Sequence, residues 1–142
     1  MNIIEQYINN NNFGRLIGMD FKIIEPGMVH YFLTINESHL STPRATHGGV
    51  IASMMDGLLG VAALSKTVLE NKIVSTVEFK INYLSPSLLG DQLFGIGKVD
   101  HAGKRIIFSS GDIVCTNRNN IVIAKAMGTF NAYPAEKAGY VV

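Results

Sequence analysis

Thr46-His47-Gly48-Gly49-Val50-Ile51-Ala52-Ser53-Met54-Met55-Asp56-Gly57-Leu58-Leu59-Gly60-Val61-Ala62-Ala63-Leu64-Ser65-Lys66 is the stretch whose reading decides the fold. From Val50 to Leu64 it is apolar or small almost all the way round, the pattern of a helix buried inside a protein. One carboxylate, Asp56, stands in its middle. Ala52, Ser53 and Gly60, one turn away, leave room beside it for a partner or a ligand. The His47-Gly48-Gly49 entry leaves the first N–H groups open, at the end where the helix dipole favours negative charge.

Nine residues separate His47 from Asp56, which puts them roughly 13 Å apart along the axis and on roughly opposite faces. One copy of the helix cannot bring both to a single reacting group. Two copies related by a two-fold axis could. Asp56 therefore either works in a site shared between subunits or simply hydrogen-bonds a neighbouring hydroxyl or backbone group. Enclosed carboxylates are uncommon unless paired, and perturbed ionisable groups cluster at active sites.

The chain has 142 residues and a formal net charge of +1, which reads as one domain over residues 1–142. Hydrophobic residues make up 47% and charged residues 16%, enough for a core and a subunit interface. The near-neutral balance argues against nucleic acid as a partner. Cys115 is the single cysteine, so no internal disulfide is expected and the setting reads as reducing and cytoplasmic. The N-terminal residues lack a basic region and a long apolar run, so no secretory signal is read there. The apolar helix, interrupted by Asp56, reads as too short to span a bilayer, and no membrane insertion is expected.

Ile3, Ile4, Tyr7 and Ile8 predict a short amphipathic helix ended by the run of asparagines at 9–12. Strands are expected over 21–25, 28–35, 73–83, 92–100, 104–116 and 121–130, with the tail from about 134 loosely held. Short, turn-rich links favour antiparallel pairing, giving an α+β fold with a curved sheet wrapped around the long helix.

The run His47-Gly48-Gly49-Val50, followed by Asp56-Gly57, Tyr83-Leu84-Ser85-Pro86, Gly90-Asp91 and the closing Gly128-Thr129-Phe130, resembles the hotdog-fold acyl-CoA thioesterases. The branch it looks most like is the one named for phenylacetyl-CoA and 4-hydroxybenzoyl-CoA hydrolysis. The resemblance covers roughly residues 14–130 and implies a thioester hydrolase working as a homodimer or a dimer of dimers. Its substrate would be a small aryl- or fatty-acyl-CoA, with coenzyme A as part of the substrate and no separate cofactor or metal. By similarity the backbone N–H of Gly48 polarises the thioester carbonyl, and Gly49 keeps the helix start uncluttered. Asp56 from the other subunit is general base on water or nucleophile. Thr76 occupies the position of a hydroxyl that helps hold the water, and it is expected beside Asp56 from the opposite subunit. His47 supports the loop and the carbonyl end of the site, or is structural. Related enzymes often carry Asn where this chain has Ser41, whose hydroxyl offers a shorter and different donor and acceptor set. Thr42 or Arg44 could replace that contact.

Met54, Met55 and Leu59 would line the acyl pocket, and serve equally well as plain core. Gly95-Ile96-Gly97-Lys98 resembles part of a phosphate loop but sits in a strand pattern with no helix after it. Ser53 and Ser65 lack a nucleophile-elbow context. His30, His39 and His101 show no metal-ligand spacing and read as surface or strand residues. Lys80, Lys104, Arg105 and Arg118 read as solvated cations, any of which could meet coenzyme A phosphates. Besides a purely structural oligomer, disfavoured by the buried Asp56, two rival readings stand beside the hydrolase. One is a non-catalytic acyl-CoA-binding or regulatory module, suggested by Ser41. The other is a hotdog hydratase or dehydratase, disfavoured because no His follows Asp56 before His101.

Overall fold

The computed structural model describes residues 1–142. Asn2 caps the first helix, α1 (Ile3–Asn10), through a reciprocal pair of bonds with Glu5. The helix ends within the asparagine run, as expected, but a second helix that the sequence reading did not foresee follows at once. Asn11 accepts a bond from the Gly14 amide and so starts a second helix, α2 (Asn12–Ile17), which stops at left-handed Gly18. The chain continues through β1 (Asp20–Glu25), β2 (Met28–Thr34), α3 (Gly48–Thr67), β3 (Lys72–Tyr83), β4 (Gln92–Ala102), β5 (Ile106–Cys115) and β6 (Ile121–Pro134).

The strands form one antiparallel sheet in the order β1-β2-β4-β5-β6-β3, so β1 and β3 are its edges. One long helix wrapped by antiparallel strands is the arrangement expected from the sequence, with six strands in place. Ladder shifts of one residue in β1, β3, β4 and the β5–β6 pairing bend the sheet around α3.

Met54, Met55, Leu58, Leu59 and Ala62 of α3 are completely buried against the inner face of the sheet. At one place the packing is close to backbone contact. Leu58 sits in a socket formed by Gly95, Gly97 and Gly111, where a Cβ on Gly97 would run into the Leu58 carbonyl oxygen and one on Gly95 would lie 2.6 Å from its side chain. The glycines of the supposed phosphate loop are thus where helix and β4 meet.

α3 exceeds the expected range at both ends. His47 Nδ1 accepts from the Gly49 N–H at 2.7 Å, which lets the two glycines form the first turn. With the turn that follows it, the helical stretch Gly48–Glu70 has 23 residues, long and apolar enough to cross a membrane by length and composition, contrary to the sequence reading. Most of its apolar window, 61%, is instead buried within this fold.

The tail is also better anchored than expected. Ala135 is fully buried, its N–H donates to Asn71 O at 3.0 Å, and the Gln6 side chain brackets Val141 with bonds of 2.7 and 3.0 Å.

Arg118 corrects a further expectation, since it is no solvated cation. Its guanidinium donates to both oxygens of the enclosed Asp91 carboxylate, at 2.9 and 2.7 Å, and to Pro86 O at 2.9 Å. Burial alone would raise the Asp91 carboxyl, but Arg118 and the Leu88 amide outweigh it and hold it below its ordinary value. Such a group stabilises the fold fully above the unfolded carboxylate pKa of about 3.9, and that contribution is lost as pH falls through the lower, folded value. Arg118→Ala removes the clamp and is expected to cost about 2 kcal/mol of unfolding free energy at neutral pH. Denaturant titrations at pH 7 and pH 3 check this: the penalty should shrink at the acid end, and an equal penalty at both would contradict it.

Candidate active site

Asp56, in the third turn of α3, is half-buried, and its Oδ1 accepts a hydrogen bond from Thr76 Oγ1 at 2.7 Å. No protein donor reaches its Oδ2. Both side chains belong to one chain, so the hydroxyl expected from another subunit comes from the same copy. They border a cavity of about 170 Å³ between α3 and β3, lined among others by Gly60, Val61, Leu64, Val74, Phe130, Tyr7 and Tyr140. Burial raises the Tyr7 phenol and, more strongly, that of Tyr31 beneath it, and the Asp56 carboxylate adds to both shifts.

Thr76 reaches Asp56 through an irregularity missed in the sequence reading. Thr76 pairs with Phe130 and Glu78 with Thr129, so Val77 is an extra residue bulged out of the ladder. Val74 and Thr76 before the bulge, and Phe79, Ile81 and Tyr83 after it, all face α3 despite their opposite parity. That change of parity in the strand's alternation was the available signal.

The entry of α3 borders a different cavity, about 220 Å³, lined by Thr46, Gly48, Ile51 and residues 83–87. The Gly49 N–H is taken by His47 Nδ1 and the Val50 N–H goes to His47 O. The Gly48 N–H has no acceptor and is exposed. Tyr83 Oη–H donates to Gly48 O at 2.8 Å, and Ser87 O accepts from Thr46 N, also at 2.8 Å. Through Pro86 and Asp91, Arg118 holds the loop that walls this end.

Met55 and Leu59 line neither cavity. Both are completely buried, because their positions on α3 point into the sheet, and they are core residues rather than pocket. Ser41 lies exposed on the loop before α3, with its backbone N–H on Ala45 O at 3.0 Å and no hydrogen bond from its hydroxyl. His39 is not a surface residue: it is buried, with Nδ1 accepting from Asn36 N and Nε2–H donating to Ile17 O at 2.7 Å. Its carbonyl accepts from His47 N, so it steadies the approach to α3. Ser53 and Ser65 hydroxyls bond the Gly49 and Ala62 carbonyls within α3. Lys80 lines a larger cavity, about 490 Å³, with Lys98 and Lys125 on the outer face of the sheet. No group of three or more His, Cys, Asp or Glu side chains is arranged to hold a metal ion.

The model of one protein family, described as the thioesterase superfamily, matches residues 45–121, which take in the α3 entry, Asp56, Thr76 and the Arg118 clamp. The chain belongs to the thioesterase superfamily. As a member of that superfamily it is a thioester hydrolase. Human acyl-coenzyme A thioesterase 13 is 27% identical over 112 residues, covering 78% of this chain and 79% of that protein. Among solved structures, the Escherichia coli PaaI protein from the phenylacetic acid degradation operon superposes with a TM-score of 0.83 at 21% identity, covering 92% of this chain and 90% of that one. A hypothetical thioesterase from Streptococcus pneumoniae, solved with coenzyme A, superposes with a TM-score of 0.73 at 22% identity, covering 82% and 87%. At these identities the two structures establish the shared fold.

Proposed function

We propose that this thioesterase hydrolyses acyl-CoA thioesters at a site assembled from two copies of the chain, in which Asp56 and Thr76 of one meet the Gly48 N–H of the other. The observation that carries this reading is the placement of the two halves. Thr76, in the first half of β3, marks the Asp56 cavity and Tyr83, at its end, marks the α3 entry, and both face α3 because of the bulge at Val77. β3 is a sheet edge with unpaired backbone groups. A two-fold axis crossing that edge midway, near Phe79 and Lys80, lays Thr76 of one copy beside Tyr83 of the next. Each Asp56 then faces the free N–H of a second Gly48, which one chain cannot achieve alone.

In this arrangement the Gly48 N–H, at the positive end of α3, stabilises the charge that develops on the thioester oxygen as the tetrahedral intermediate forms. A water between Thr76 Oγ1 and Asp56 Oδ2 donates a hydrogen bond to each oxygen, which leaves its lone pair aimed at the carbonyl carbon. Asp56 Oδ2 takes the proton as general base. Attack by Oδ2 itself is the other route, and a single turnover in ¹⁸O-water that labels Asp56 would establish it, since the label enters the carboxylate only when water opens a covalent anhydride at the Asp56 carbonyl. The support for acyl-CoA is the likeness to acyl-coenzyme A thioesterase 13 and to a fold solved with coenzyme A. The outer sheet face, where Phe32, Ile96, Phe108 and Met127 are exposed, is the surface a dimer of dimers would cover. We place the enzyme in the cytoplasm, with coenzyme A as part of the substrate and no separate cofactor.

The deciding experiment incubates the protein with acyl-CoAs and a thiol reagent while its mass is followed by sedimentation. Steady thiol release from a dimer or tetramer is expected. Saturable binding without release would make it a binding module, and a fully active monomer would overturn the shared site.

A further inference from the structure

In the proposed reaction the thioester lies against Asp56, so the cavity that this carboxylate borders is where the acyl group would enter. The cavity runs along α3 from Asp56 to Leu64, about 12 Å at 1.5 Å per residue, and holds about 170 Å³. An apolar cavity of about 150 Å³ is filled by one benzene ring. Its roof is built by neither helix α3 nor the sheet. Tyr7 comes from α1 and Tyr140 from the C-terminal tail, and burial raises both phenols. The residues next to them are tied together: Gln6 Nε2 donates to Val141 O at 2.7 Å, and Val141 N donates to Gln6 Oε1 at 3.0 Å. This two-bond clasp ties α1 to the C-terminal tail at the residues next to Tyr7 and Tyr140.

Resting on the proposed acyl site, we propose that Tyr7 and Tyr140, held by the Gln6–Val141 clasp, are specificity-determining residues that limit the acyl group to one aromatic ring or about six carbons. Longer chains meet the two rings and enter only when the clasp opens.

Binding tests this independently of turnover. Affinities of non-hydrolysable thioether analogues of butyl-, hexyl-, phenylethyl- and decyl-CoA are measured by calorimetry on the parent, Tyr140→Ala and Gln6→Ala, with thermal melts to verify folding. The parent should favour the hexyl and phenylethyl ligands over decyl by about 10-fold or more. Tyr140→Ala, which enlarges the cavity, should reverse that ratio. Gln6→Ala, which keeps both rings and breaks the clasp, should move it the same way by a smaller factor. A parent that prefers decyl, or two folded variants with the parent's ratio, would overturn the proposal. Failure of the catalytic reading shows elsewhere, as full hydrolysis by Asp56→Asn, and leaves the binding profile to decide the clasp.

Discussion

Asp56→Asn is expected to lower kcat by a factor on the order of 10²–10⁴ while KM for acyl-CoA changes little, the usual consequence of losing a positioned base. The substitution is conservative where structure is concerned. The Asn carbonyl oxygen can still accept from Thr76 Oγ1, as Asp56 Oδ1 does at 2.7 Å. The amide nitrogen takes the place of Oδ2, the atom no protein donor reaches, so basicity and nucleophilicity disappear with little else disturbed. Asp56→Ala should be equally inactive yet nearly as stable, because Thr76 is exposed in the single chain and its hydroxyl can turn to water. Steady-state kinetics with matched melting curves checks both. Parental turnover in Asp56→Asn alongside unfolding of Asp56→Ala would make Asp56 a structural hydrogen-bonding group.

Gly48→Pro is the complementary test at the other half-site. Gly48 is the first residue of α3, where proline is favoured, and His47 before it has φ −60° and ψ 132°, the extended conformation a following proline demands. A side chain there would stand 3.6 Å from the Tyr83 ring, an ordinary contact. The variant thus keeps the helix and loses the free N–H. Its kcat should fall by roughly 10²–10³, the range for one oxyanion donor. Co-expression of the Gly48→Pro and Asp56→Asn chains should then restore about a quarter of parental activity. Random pairing into closed two-fold dimers makes half of them mixed, each with one intact site of two. Activity that stays at the level of the separate variants would place the whole site within one chain.

The amino-acid sequence by itself determined the long helix, the six strands to within a few residues, and the separation of His47 from Asp56 on roughly opposite faces of that helix. These are local properties. The period of apolar residues, the glycine pair at the helix start and 1.5 Å of rise per residue need no partner to be read. Tertiary structure alone decided which face of α3 meets the sheet, and so turned Met55 and Leu59 from pocket into core while leaving Gly60, Val61 and Leu64 to line the cavity. It decided that Asp91 takes Arg118 as its partner, 27 residues away, and that His39 is buried on Ile17 O. It decided that Gln6 closes on Val141 across 135 residues. No periodicity reports such pairings, because each depends on which distant segment the folded sheet brings within about 3 Å. The bulge at Val77 lies between these cases. Its parity slip is written in the alternation from Val74 to Tyr83, but only pairing with β6 shows that both halves of the strand face the helix, and with it that Thr76 reaches Asp56.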